Sequence, residues 1–104
     1  MRHDRRSNLF ARVASAARRQ MPNLARQLFP NGHAEGREWA IGSLNGESGN
    51  SLKIVLSGPK ASLWKDFNTG EGGGDAISLI AAMEGIGQAE AARRLAKMLG
   101  GSYE

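Results

Sequence analysis

The chain has 104 residues, 40% hydrophobic and 23% charged, with a net charge of +4 and no cysteine. Such a composition describes one folded domain with a modest core, and it excludes disulfides and thiolate metal ligation. No apolar run reaches the length of a membrane span and no basic stretch leads into a signal-type apolar segment, so the expected location is the cytoplasm, with no membrane contact.

In chain order, Met1–Arg6 reads as a flexible basic arm. Ser7 is placed to cap a helix running to about Gln20, with Leu9, Phe10, Val13, Ala16 and Ala17 recurring on one face. Pro22 breaks or restarts that helix, and a short second segment follows over Asn23–Phe29. Residues 1–22 are therefore set apart as a basic arm and helix, ahead of a compact unit over 23–104. Pro30-Asn31-Gly32 is a turn. Two strands are expected at Arg37–Ser43 and Ser51–Ser57, joined by a hairpin loop rich in Asn, Ser and Gly. In the second, Leu52, Ile54 and Leu56 alternate with Lys53, Val55 and Ser57, the pattern of a half-buried strand. Gly58-Pro59-Lys60 turns the chain into a third strand over Ala61–Phe67. The glycine cluster Gly70–Gly74 precedes Asp75, which caps a helix whose inward stripe is Ile77, Ile80 and Ala81. Gly85-Ile86-Gly87 leads to a last helix, with Ala91, Ala92, Leu95, Met98 and Leu99 inward and Glu90 four residues before Arg94. The fold class is α+β: a small antiparallel sheet of three or more strands, an N-terminal helix and a C-terminal helix pair.

Charge is uneven along this order. Residues 1–34 hold seven arginines and one acid, a net of +6, while residues 35–104 hold seven basic and nine acidic residues, a net of −2. Arg5, Arg12, Arg19 and Arg26 recur every seven residues, and seven residues drift only about 20° around a helix. Arg12 and Arg19 should therefore share a face, with Arg18 beside them, Arg5 extending the stripe and Arg26 displaced by Pro22. A row of planar guanidinium forks suits phosphates or an acidic protein groove. Arg37, Lys53, Lys60 and Lys65 add a second basic set on the sheet, able to meet a nucleic-acid backbone.

Trp39, Trp64 and Phe67 have the chemistry to stack on bases, but a small domain needs large apolar side chains inside, which assigns Trp64 and Phe67 to the core. The Gly70–Gly74 loop has two readings, a phosphate cradle or the remnant of a metal knuckle. It lacks the Lys-Ser/Thr ending of a nucleotide-binding loop, so nucleotide hydrolysis is not expected. No Ser/His/Asp, Cys/His or paired-acid arrangement offers a catalytic set.

From about Asn23 to Gly100 the chain resembles the N-terminal zinc-ribbon-type domain of DNA primases, in the form found in phage and mobile-element primases and primase-helicases. The resemblance rests on LARQLFPNGHAEGREWAIGSLNGESGNSLKIVLSG, ASLWKDFNTGEGGGDAISLIAAMEG and QAEAARRLAKMLG, in that order. It implies a ribbon that engages single-stranded template DNA for a separate polymerising domain. In the family, zinc is held by Cys-x-x-His and Cys-x-x-Cys pairs; here Gly42 and Asn45 stand at the first and Asp66 and Thr69 at the second. The implied form is degenerate, without metal or cofactor, and His3 and His33 lie outside the ribbon. Met1 and the closing Gly-Ser-Tyr-Glu favour a stand-alone relative of the template-reading module over a piece cut from a longer primase. The expected function is non-catalytic nucleic-acid binding. Two alternatives stand beside it: a mobile-element protein that docks on a host replication or defence complex, and a subunit that supplies this domain in trans to a separate primase or helicase.

Overall fold

The computed structural model describes residues 5–100, with side chains from Leu9 onward. The arm expected at the N-terminus lies outside the described residues through residue 4, as does the side chain of Arg5. The elements are α1 (Arg5–Arg19), α2 (Met21–Leu28), β1 (His33–Glu35), β2 (Glu38–Ile41), β3 (Leu52–Val55), β4 (Trp64–Asp66), β5 (Gly72–Gly73), α3 (Ala76–Glu84) and α4 (Gln88–Met98). The five strands form one antiparallel meander in sequence order. None of the helices is long and apolar enough to cross a membrane, among the described residues.

The α1 helix takes in Arg5 and Arg6, both good helix formers, so Ser7 is interior and is not its N-cap. The chain breaks at Gln20 and restarts as α2, with Pro22 in the first turn, where a missing N–H leaves no bond unmade. Two strands beyond the expected three complete the sheet. The β1 strand is joined to β2 by Gly36-Arg37, with Gly36 at φ 59, as a two-residue type II′ turn requires. The β5 strand is made of glycines because nothing larger fits: a Cβ on Gly73 would lie 2.3 Å from Ser78 Oγ and 2.7 Å from Trp64 Nε1. Within the cluster read as a phosphate cradle or a knuckle remnant, Gly72 and Gly73 thus serve close packing of β5 against Trp64 and α3, while Gly70 supplies a positive φ of 84 and Gly74 meets no neighbour.

Strand alternation sorts the side chains. Trp39, Ile41, Leu52, Ile54, Trp64 and Asp66 lie on one face, which is buried. Val13 and Ala17 of α1, Met21, Leu24 and Ala25 of α2, Ile77, Leu79 and Ile80 of α3, and Leu95 of α4 join them in a single core. Burying each large aliphatic side chain there contributes about 1.5–3 kcal/mol. Leu79 is fully buried while Ala81 is only half-buried, a wider stripe on α3 than expected. Leu99 caps α4 and is half-buried rather than buried. Glu84 and Glu90 both pair with Arg94, at 2.7 and 3.2 Å, tying α3 to α4.

Asp75 caps α3 as expected: its carboxylate accepts from Ser78 N at 2.7 Å. Ser78 Oγ in turn donates to the Asp75 carbonyl and accepts from Trp64 Nε1 at 2.9 Å. The indole of the third expected strand is thereby locked to the start of a helix.

At both positions where the ribbon family places metal, hydrogen bonds hold the hairpin tips. In the β2–β3 loop, Gly42 N donates to Glu47 O, Asn45 N to Ser43 Oγ and Ser43 Oγ to Glu47 Oε1. In the β4–β5 loop, the buried Asp66 carboxylate accepts from Asn68 N at 2.8 Å and from Thr69 N at 3.3 Å, and Glu71 N donates to Thr69 Oγ1. Among the described residues, no three His, Asp or Glu side chains converge as a metal site.

Candidate nucleic-acid interface

The helices cover one face of the sheet; the other is open along β4, although Ala40 in its middle is fully buried and Lys53 is half-buried. Across it the register sets His33, Ala40, Lys53, Lys65 and Gly72 in one row. Neighbouring strands are about 4.8 Å apart, so the row runs about 14 Å from His33 to Lys65. Lys53 and Lys65 stand directly opposite each other on β3 and β4. Like charges in that position oppose strand pairing, a cost that the Glu35 carboxylate beside Lys53 offsets.

Phe67 is the correction to the expected core. Trp64 is 3% exposed, as expected, but Phe67 is 66% exposed. The two are three residues apart, and with a period of two an odd separation sends side chains to opposite faces. The Phe67 backbone N–H donates to Ser51 O at 2.7 Å, which holds its backbone at the end of the β3–β4 ladder. The Lys65 ammonium lies 5.4 Å from the ring centroid, on the same open face. Two residues before Lys65, Leu63 is 43% exposed. Phe67, Lys65 and Leu63 thus form an aromatic, cationic and aliphatic strip along β4, with Lys53 beside it.

Lys53 is restrained. Its ammonium pairs with Glu35, and His33 Nε2 lies 2.9 Å from the other Glu35 oxygen. The Lys53 ammonium, followed by His33, holds the Glu35 carboxyl below its ordinary range. The open face is therefore graded, basic and aromatic at β4 and acidic toward β1 and β2, where Glu35 and Glu38 lie.

The remaining basic candidates are elsewhere. Arg12, Arg18 and Arg19 are exposed on α1, Arg12 and Arg19 sharing a side as the seven-residue spacing predicts. Arg18 donates to Pro59 O at 3.2 Å across 41 residues of sequence, and Arg19 donates to Ser15 Oγ. Arg18 thus brings α1 to the turn that carries Lys60, and Arg37 reaches the same turn, where its guanidinium borders Gly58. Arg26 stacks on Trp39, 5.7 Å from the ring centroid. Trp39 is buried and its Nε1 donates to Phe29 O, so it offers no platform to a base. The nine basic residues fall into separate groups: Lys53 and Lys65 on the open sheet, Arg12, Arg18, Arg19, Arg37 and Lys60 around α1 and the β3–β4 turn, Arg26 on Trp39, and Arg5 with its side chain outside the described residues.

The chain matches no family model, no curated protein and no solved structure.

Proposed function

We propose that the protein is a non-catalytic single-strand-binding module of primase type, which takes template DNA on the open face of the sheet. Phe67 stacks on a base, Lys65 and Lys53 meet the flanking phosphates, and Leu63 packs against a sugar or a second base. The observation that carries this reading is the exposed Phe67 ring with the Lys65 ammonium beside it. A stacking ring interleaved with cations is the chemistry that single strands require and duplexes do not. Lys53 and Lys65, opposite each other in the register, add positive charge on the same face. Polymerisation belongs, in this reading, to a separate chain or domain.

The test is anisotropy of fluorescein-labelled oligo(dT) and of a hairpin duplex. Single strands should bind more tightly, with a steep salt dependence. Phe67→Ala should weaken oligo(dT) binding by the equivalent of about 1–3 kcal/mol. Equal binding of wild type, Phe67→Ala and Lys65→Ala would show that the sheet face is not the interface.

A further inference from the structure

On the helical side of the molecule, α1 and the end of β3 enclose an open cleft of about 620 Å³. Its apolar floor is Ala14 of α1 with Leu56 and Ala61 opposite, which are half-buried or buried, and the exposed Ala11, Arg18 and Arg19 form its rim, with Ser15, Pro22, Ser57 and Gly58 completing the lining. We propose that this cleft is a docking groove for an acidic linear peptide of a partner protein, with one apolar residue of the peptide on the floor and its carboxylates on the two arginines.

Charge complementarity selects the occupant. No acidic residue lines the cleft, and neither α1 nor α2 contains one. Arginines in the last turn of α1 do favour the negative end of the helix. That explains their presence on the helix, but not an aliphatic floor left uncovered beneath them. Arg18 donates to Pro59 O and Arg19 to Ser15 Oγ, each using part of a fork that carries five N–H donors. These bonds hold the guanidinium groups in place, and donors remain for a carboxylate, which arginine grips in bidentate fashion. An extended peptide alternates its side chains, so one apolar residue reaches the floor while its neighbours point to the rim. Nucleic acid fits less well: none of the lining residues is aromatic, so no base can stack there, and the exposed Phe67 is on the opposite side of the sheet.

The far wall is shaped by a strained residue. Val55 O accepts from Ser62 N, and Val55 N donates to Leu63 O, so two residues of the returning strand oppose one. This is a β-bulge, with Ser62 at φ 83 where such bulges usually place glycine. Ser62 is fully buried and its hydroxyl has no hydrogen-bond partner among the described residues. The extra residue turns Ala61 toward the cleft and Leu63 to the open face. A non-glycine residue held in this conformation is the kind of local strain that accompanies binding surfaces.

The experiment uses the full chain and three fluorescein-labelled probes: a short peptide alternating Glu with Leu, a peptide of the same length alternating Glu with Ser, and oligo(dT). The Glu/Leu peptide should bind, and the Glu/Ser peptide should bind about tenfold more weakly because the floor is then unused. Arg18→Glu with Arg19→Glu, and separately Ser57→Trp at the exposed mouth of the cleft, should each weaken the Glu/Leu peptide by about tenfold or more. Phe67→Ala should leave the peptide unaffected while reducing oligo(dT) binding, so the two surfaces fail separately. Equal affinity for both peptides, displacement of the peptide by oligo(dT), or wild-type peptide binding by both cleft variants would overturn the proposal.

Discussion

Two aromatic residues three positions apart have opposite surroundings. Trp64→Ala should cost about 3–5 kcal/mol, because it empties the core and breaks the bond to Ser78. Phe67→Ala should change stability by no more than about 0.5 kcal/mol, since it removes a ring that is mostly in water. Thermal melts of the two variants, run beside oligo(dT) titrations, separate these roles; comparable destabilisation by both would return Phe67 to the core. The difference was legible from the odd spacing of Trp64 and Phe67 within one strand, but counting apolar residues obscured it. Ser62 is the reverse case. Its positive φ depends on a bulge formed by distant pairing with Val55, and no local signal announces that. Ser62→Gly should stabilise the protein by about 1–2 kcal/mol, because glycine adopts the left-handed conformation without the Cβ penalty. A lower melting temperature for Ser62→Gly would contradict the strain assigned to this residue.

At the level of elements, hydrogen bonds close the two hairpin tips without an ion. Gly42, Asn45, Asp66 and Thr69, which the expected resemblance sets at metal positions, lie in loops that close through Ser43, Glu47 and Asp66. A chelator should leave the melting temperature unchanged, and added zinc should not raise it. Asp66→Ala should cost about 1–3 kcal/mol, the loss of bonds accepted by a buried carboxylate, seen as a fall of about 4–8 °C for each kcal/mol. Loss of structure in chelator would require a metal that these side chains do not otherwise suggest. Strands β2, β3 and β4 were legible because Leu52 and Ile54 alternate with Lys53 and because turn residues flank each run. The Asp75 cap and both C-terminal helices were legible for the same kind of reason. Strands β1 and β5 were not, being three and two residues long. A run of glycines becomes a strand only because Trp64 and Ser78 leave room for nothing else.

Across the whole molecule, most of the candidate basic residues fall into two groups, on the open sheet and around α1 and the β3–β4 turn, that the linear sequence could not separate. The seven-residue spacing of arginines correctly put Arg12 and Arg19 on one side of α1, yet only the folded chain brings Arg18, Arg37 and Lys60 together at a turn from the sheet. On the other face, Glu35 limits how far Lys53 can reach toward a phosphate. Glu35→Gln should release Lys53, strengthen oligo(dT) binding several-fold and steepen its log–log salt dependence by about one. Unchanged affinity and slope would mean that Lys53 contacts no phosphate. The pH dependence has a definite sign. The Glu35 carboxyl is held below its ordinary value by Lys53 and His33. The pair is therefore intact above the ordinary carboxylate range and is lost as pH falls through the lower, folded value. Neutral solution keeps Lys53 restrained.

Both tryptophans of the chain are buried, and each indole N–H is engaged, Trp39 with Phe29 O and Trp64 with Ser78 Oγ. The protein therefore carries a built-in optical gauge of its folded state. Its intrinsic emission should shift to the red on unfolding, as the indoles enter water. It should stay nearly constant when a strand settles on Phe67 or a peptide enters the groove, since neither indole lines those surfaces. A variant that loses ligand but keeps the native emission maximum has a damaged surface, and one that loses both has a damaged fold.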